Sequence, residues 1–410
     1  MKNTLLYISR LLVGSLLIVS GVVKANDTMG FSYKLVDYFT EGVLGMEFLQ
    51  PYTLLMAGVI CAVEIVLGAA LIFGLKSKLV TIANLAMMLF FTFLTFYSAY
   101  FNKVTDCGCF GDALKLKPWE TFQKDVVLSF FSIILFIYHK QIFPNKKEED
   151  FKYILPSIVL IILFAVGVIG WWFPVFFAVL IYAIMFVAKR FDTNSWRLLS
   201  ISAIATGLFV YYTLNHLPIE DFRPYAVEKN IVEGMVPAPD ALPELTEYMW
   251  TFDVNGKTVT KTTFGDYPVV EGGKNTGVTT KTLREAEEPP VHDFTIETEA
   301  QDDTELILGK DNVLMIVAYD FKKSSDEGFK AIKTLTDNAI TKGYTVIGLT
   351  AEDAPTRASK IKEYNLNFPF YFCDGTALKT VVRANPGILE IDKATIKQKL
   401  HWRDIDQLEL

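Results

Sequence analysis

Cysteine and histidine each occur only four times in 410 residues. So few thiols exclude a disulfide-stapled secreted scaffold. The histidines, His139, His216, His292 and His401, are scattered and lack the spacings by which imidazoles share a metal ion, so no metal site is expected. Excess positive charge is also lacking. The chain has 39 Lys and Arg against 46 Asp and Glu, a net charge of −7, which excludes the basic footprint of a nucleic-acid binder. No glycine-rich phosphate loop, Ser/His/Asp arrangement or internal repeat stands out. Charged residues make up 21% and hydrophobic residues 51%, with a mean hydropathy of +0.30. That balance excludes a disordered chain and an ordinary soluble enzyme.

The apolar mass lies in the first half. Residues 1–214 carry 17 basic and 13 acidic side chains, whereas 215–410 carry 22 and 33. Seven apolar runs approach the ~20 residues that cross a bilayer: Leu5–Val23, Tyr52–Leu75, Leu79–Tyr100, Val126–Tyr138, Tyr153–Gly170, Pro174–Val187 and Leu198–Leu214. The fourth and sixth are short. The first is read as a retained span, because Arg10 interrupts it and no small-residue cleavage site follows. Membrane lipid is therefore a partner. With the N-terminus inside, the inner loops gather Lys2, Lys76, Lys78, Lys140, Lys146, Lys147, Lys152, Lys189, Arg190 and Arg197. The positive-inside bias favours that orientation. Seven spans then place everything after Leu214, and the loop Lys103–Glu120, on the outer, oxidising side.

Glu64 lies inside the second run. A carboxylate at that depth must be paired, protonated or set in a polar cavity. Two readings stay open: a protonated carboxyl bonded to a neighbouring helix, and a proton- or quinone-facing role. Gly58, Gly68 and Gly74 would let helices approach closely.

The segment Arg10-Leu-Leu-Val-Gly14 … Ser20-Gly21-Val-Val-Lys24 resembles the opening helix of DoxX-like membrane proteins. Glu64-Ile-Val-Leu-Gly68-Ala-Ala-Leu-Ile-Phe-Gly74 resembles their second helix. Asp106-Cys107-Gly108-Cys109-Phe110-Gly111-Asp112 is similar to the Cys-Gly-Cys-Phe-Gly motif of the methylamine-utilisation MauE branch. The resemblance covers about residues 1–140. It implies a four-helix membrane unit over 1–142, and the remaining apolar runs add three further transmembrane helices over 150–214. It also implies a link to redox chemistry or to disulfide maturation of a partner.

In Cys107-Gly108-Cys109, one glycine lets two thiols meet in a small, strained ring. Strained, exposed disulfides are oxidising and labile, which suits electron transfer. A static disulfide, a turn with idle thiols and a partial metal site remain alternatives, although two cysteines cannot complete a tetrahedral set. Cys61 is expected roughly 15 Å deep in its span. It is read as a small core residue, or as the third member of a membrane pocket with Lys24 and Glu64. It could meet the pair only if the loop folds into the bundle.

Residues 215–290 hold eight of the sixteen prolines and read as an extended connecting region. Alternation about Asn255-Gly256 predicts a hairpin. Gly272-Gly273 and the run Glu285–Pro290 mark a mobile linker. Residues 291–402 alternate strands (Asn312–Tyr319, Tyr344–Leu349, Phe368–Cys373, Gly387–Ile391) with helices (Ser324–Lys342, Thr356–Tyr364). A β-α-β start and a hairpin-like end resemble a thioredoxin-like domain of the kind attached to Bacteroidota envelope proteins, here taken as 291–410. That resemblance implies a cis peptide at Asn385-Pro386. The segment where that family keeps its two cysteines, Tyr319-Asp-Phe-Lys-Lys-Ser-Ser325, has none. Cys373 is this domain's only thiol, read as a buried strand-end residue or as a partner for the membrane pair.

The expected fold is thus a multi-pass α-helical membrane bundle followed by an α/β thioredoxin-like domain. It would lie in a bacterial inner membrane with the C-terminal domain in the periplasm. Two functions follow. One is a thiol-disulfide oxidoreductase or electron relay using Cys107 and Cys109, with an extracytoplasmic protein client and a quinone as candidate cofactor. The other is a non-enzymatic envelope scaffold that uses the cysteine-free domain for binding.

Overall fold

The computed structural model describes residues 2–104, 108, 110–146, 148–284 and 286–410. Among the described residues, eight α-helices build the first half: α1 (Lys2–Asn26), α2 (Thr28–Phe39), α3 (Thr53–Phe73), α4 (Ser77–Phe101), α5 (Pro118–Ile137), α6 (Asp150–Ala165), α7 (Phe173–Phe191) and α8 (Ser195–Asn215). All seven apolar runs fall on helices. Among the described residues, five helices, α1, α3, α4, α7 and α8, are long and apolar enough to cross a membrane. The N-terminal half of α5 carries Glu120, Lys124 and Asp125, and α6 has only 16 residues with Pro156 inside. Those features keep both below that measure.

The α1 helix is packed on several sides and crosses α3 at close range. A Cβ on Gly68 would fall 2.6 Å from the Gly14 carbonyl oxygen. Small residues at a crossing let two backbones approach where water expulsion cannot drive association. The α2 helix was read in the sequence as part of an outer loop. It forms because Asp27 caps it, accepting the Gly30 amide at 2.8 Å, and because Phe31, Leu35, Tyr38 and Phe39 bury one face against the bundle.

A short helix α9 (Ile231–Gly234) leads to a three-stranded sheet: β1 (Leu245–Val254), β2 (Lys257–Thr263) and β3 (Gly273–Arg284), in the order β2-β1-β3. The β1–β2 hairpin turns at Asn255-Gly256. The expectation of a linker from Gly272 onward is corrected here, because residues 273–284 pair antiparallel with β1. Thr276, Val278, Thr279, Thr280 and Thr282 supply the β-branched side chains that suit a strand.

The remainder is an α/β domain. Its elements are α10 (Thr304–Leu308), β4 (Val313–Val317), α11 (Asp326–Thr341), β5 (Thr345–Thr350), α12 (Ala354–Tyr364), β6 (Phe370–Phe372), α13 (Gly375–Val381), β7 (Gly387–Asp392) and β8 (Thr395–His401). The sheet order is β6-β5-β4-β7-β8, with β4, β5 and β6 parallel and β7 and β8 antiparallel. Every residue of β4 is buried, as a central strand covered on both faces requires. Leu314 and Ile316 face Phe329 and Ile332 of α11, while Val313, Met315 and Val317 face Leu378 and Val381 of α13.

Candidate functional site

The bundle and the α/β domain meet across a cavity of about 1000 Å³. From the bundle come the end of α1, α2, and the loop residues Gly108 and Phe110–Ala113. From the α/β domain come Tyr319, Ser325 at the start of α11, Arg383, Asn385 and the segment His401–Arg403.

Arg383 joins the two sides. Its Nε lies 2.9 Å from both carboxylate oxygens of Asp27, and its Nη2 lies 3.5 Å from Asp112 Oδ2. Nη1 donates to the Lys379 carbonyl, and the guanidinium carbon sits 5.4 Å from the centre of the Tyr33 ring. The Tyr33 and Tyr319 hydroxyls are 3.0 Å apart. Burial alone would raise the Asp27 carboxyl pKa. Arg383, Arg223 and the Gly30 amide more than offset this and hold it below the usual carboxylate range. A second buried cluster braces the tether: Asp221 accepts from Arg223 at 2.7 Å and from Lys399 Nζ at 2.6 Å. Burial and the nearby Arg403 push His401 down to about 4. Its Nδ1 accepts the Arg403 amide at 3.1 Å, as a neutral imidazole can.

Below this cavity, Lys24 Nζ donates to Glu64 Oε1 at 2.9 Å, Oε2 at 3.0 Å and Ser20 Oγ at 2.6 Å. Both side chains of the ion pair are 3% exposed or less. Glu64 is therefore paired, with Lys24 from α1 as its partner. The pair borders a cavity of about 190 Å³ with Phe91, Phe110, Lys124 and Asp125. Of the pocket expected from Lys24, Cys61 and Glu64, the first and last line this cavity, and Cys61 takes its other reading, a small core residue. Cys61 is fully buried and does not line this cavity. It faces the crossing with α1, where its carbonyl oxygen would lie 3.1 Å from a Cβ on Gly21.

Cys107 and Cys109 lie outside the described residues. Gly108 between them is buried and has φ +68°, and a Cβ there would fall 3.1 Å from the Lys34 side chain. Both the left-handed backbone and the closeness to α2 suit glycine. Phe110 inserts into the bundle, 3% exposed, with its ring 5.1 Å from that of Phe164. Cys373 lines neither cavity. It is buried in the core of the α/β domain, and burial pushes its thiol up to about 12. The Asn385–Pro386 bond is cis, and Pro386 packs on Gly328 in the first turn of α11. Among the described residues, no cluster of three or more His, Cys, Asp or Glu side chains could hold a metal.

Sequence reasoning missed Asp27, Tyr33, Asp112, Tyr319 and Arg383. Asp27 and Arg383 are 356 positions apart, and no local spacing connects them.

Residues 2–138, covering α1 to α5 and the Cys-Gly-Cys segment, match the family model described as methylamine utilisation protein MauE. No curated protein and no solved structure matches the chain. With its apolar helices, this part of the chain is similar to a MauE-type membrane protein.

Proposed function

We propose that the protein is a membrane-embedded thiol–disulfide redox protein acting at the outer end of its bundle through Cys107 and Cys109. The observation that carries this reading is Gly108, the residue between them, buried on the wall of the interdomain cavity. In the exchange, one thiolate of the reduced pair attacks a client disulfide and expels a client thiolate, leaving a mixed disulfide. The second thiolate then attacks the bridging sulfur of the pair. A Cys107–Cys109 disulfide forms and the other client thiolate leaves. Two electrons pass from the pair to the client, and the two thiol protons end on the client. Run in reverse, the same steps oxidise a client dithiol.

The reading extends to the frame. We take α5 and α6 to complete seven crossings, with the N-terminus in the cytoplasm of a bacterium. Five and seven crossings share the same parity, so either places the α/β domain in the periplasm. We read that domain as thioredoxin-like. Its strand order and the cis Asn385–Pro386 bond beside the start of α11 support this. With no cysteine in Asp320–Ser325, it performs no dithiol chemistry of its own. The MauE match supports a role in maturing an envelope partner.

The test is trapping. Cys107→Ser or Cys109→Ser should leave a client covalently attached on a non-reducing gel, because the resolving thiol is gone. The double variant should trap nothing. If neither single variant traps a partner, the redox reading fails. A binding scaffold, favoured by the cysteine-free Asp320–Ser325 segment and the buried Cys373, then takes its place.

A further inference from the structure

His401 is the last residue of β8, paired with Gly387 of β7. It is 4% exposed and lies on the wall of the interdomain cavity. The sheet fixes its backbone, and the Arg403 amide fixes its Nδ1, which accepts at 3.1 Å. A neutral imidazole that accepts through Nδ1 carries its proton on Nε2. That Nε2–H has no hydrogen-bond partner among the described residues. The fully occluded side-chain atoms without a partner are Asn84 Oδ1, Ser202 Oγ and Arg357 Nε, so Nε2 is not sealed off and opens to the cavity. Buried donors in proteins are nearly always satisfied, so a preorganised one on a cavity wall marks a place for an acceptor. The next two residues add charge. Trp402 and Arg403 line the same cavity. Trp402 is braced on the first turn of α11, where a Cβ on Gly328 would fall 3.1 Å from its ring. The Arg403 guanidinium carbon lies 4.4 Å from the centre of the Trp402 ring. Cation–π stacking of that kind leaves the edge of the guanidinium able to donate. Asp404, the acid of the same turn, faces His216 at 2.7 Å instead, at the head of the tether 217–222 that joins the two bodies.

We propose that the interdomain cavity binds a small organic anion whose carboxylate or phosphate group accepts from His401 Nε2 and pairs with Arg403. The wall offers this anion little competition. Asp27, Asp112 and Asp221 are already held by Arg383, Arg223 or Lys399. Asp37 and Glu220 are exposed, where water hydrates them. Tyr319 and Asn385, on the same wall, are there for the rest of the molecule. A volume of about 1000 Å³ suits a metabolite-sized guest. A neutral guest would leave Arg403 without a counter-charge, and a cation would be repelled by it. The site goes beyond the redox reading and does not rest on it, because no thiol takes part.

The experiment is isothermal titration calorimetry of the full chain in detergent. The probes are benzoate and phenyl phosphate, with benzyl alcohol as the neutral control. At least one anion should bind at a single site with millimolar affinity or better, and benzyl alcohol about tenfold more weakly or not at all. His401→Asn keeps an acceptor where Nδ1 sits and removes the Nε2 donor. It should weaken that anion roughly ten- to a hundredfold, the worth of a hydrogen bond to a charged partner. His401→Gln places an N–H near the Nε2 position and should bind within about threefold of the parent. Arg403→Gln should lose roughly tenfold or more. Amide hydrogen exchange over β7 and β8 should stay as in the parent. If neither anion saturates, or benzyl alcohol binds equally well, the proposal falls. If His401→Asn binds as the parent does, Nε2 serves only water and the proposal also falls. Loss of binding together with lost protection of β7 and β8 makes His401 a residue of the fold, which overturns it too. Once an anion binds, dihexanoyl phosphatidylglycerol separates its sources. Displacement of the probe supports a lipid headgroup as the anion, and no displacement supports a soluble one. Trapping at Cys107 or Cys109 alters none of these outcomes, so the two readings stand or fall separately.

Discussion

Two ion pairs of nearly equal length, one buried and one partly buried, sit in very different surroundings. Lys24 and Glu64 are 2.9 Å apart between α1 and α3, inside one packed bundle. Arg383 and Asp27 are 2.9 Å apart between two bodies with separate apolar cores. If the first loses a partner, the remaining charge stays inside the bundle with only the adjoining cavities to relieve it, because the α1 and α3 backbones cross closely at Gly14 and Gly68 and cannot part. If the second does, the domains can separate and each charge becomes hydrated. Bond length does not decide what an ion pair is worth. The escape route of the surviving charge does.

The largest test of that contrast is inside the bundle. Lys24→Met or Glu64→Leu alone should cost about 3–5 kcal/mol, the usual result of stranding one charge of a buried pair. The double variant Lys24→Met/Glu64→Leu should recover most of the loss, since a well-packed apolar pair can replace a buried ionic one. Denaturant unfolding in detergent measures all three. Single variants within about 1 kcal/mol of the parent would show that water reaches the pair, erasing the difference between the two regions.

The next effect is pH, and it belongs to the junction. His401 lines the interdomain cavity, and its pKa falls to about 4 when folded, against about 6.5 when unfolded. A depressed histidine stays neutral in the fold, so the unfolded chain binds more protons between those values. Stability is therefore full above about pH 6.5 and is lost as pH falls toward 4, by about 3 kcal/mol for a group acting alone. Asp27, also depressed, acts in the same direction but only below the ordinary carboxylate range. His401→Gln should flatten the slope of thermal stability between pH 6.5 and 4. An unchanged slope would place the sensitive group elsewhere.

The two regions also differed in how much of them could be read from sequence. Bundle helices announce themselves through apolar runs, and the alternation of strands and helices from Asn312 to Ile391 announces the α/β domain. Glu64 stood out because a carboxylate in an apolar run is conspicuous. Its partner Lys24 was placed in the same pocket, whereas Cys61 was left between core and pocket because sequence depth says nothing about which helix face meets a cavity. The α2 helix was missed because its apolar residues number too few for a span. The junction was invisible for a different reason. Asp27, Asp112, Tyr319 and Arg383 are ordinary surface residue types in their local sequences, and only the docking of two domains makes them a site. The third strand was hidden by Gly272-Gly273, which marks a turn in a sheet and a linker equally well.

A milder change at the junction is Asp27→Asn. It keeps the N-cap, because an asparagine side chain still accepts the Gly30 amide, but removes the charge that Arg383 faces. The cost should be about 1.5–3 kcal/mol, the range for hydrogen bonds to a charged partner. It should be read as weaker domain docking, with the unfolding of each body unaltered. Limited proteolysis within residues 217–222 is the measurement: faster cleavage there with β4 to β8 left intact is the expected pattern. If the whole α/β domain becomes protease-sensitive, Asp27 supports folding and not docking.

The smallest effect separates the Arg383–Asp27 ion pair from the contact beside it. The Tyr33 and Tyr319 hydroxyls are 3.0 Å apart, and burial, with each hydroxyl's partner a second influence, pushes the acidity of both away from the physiological range. Both stay protonated, so one donates to the other. Tyr319→Phe deletes a single neutral hydrogen bond and leaves the ring in place. Because Tyr33 lines a cavity, its hydroxyl can turn to water, so no buried group is orphaned. The cost should be about 0.5–1.5 kcal/mol of docking, below the loss expected for Asp27→Asn. Limited proteolysis within residues 217–222 reads the difference between the two variants. If Tyr319→Phe speeds cleavage there as much as Asp27→Asn does, the junction is held by the tyrosine pair, and the contrast between an interior ion pair and a docking ion pair collapses.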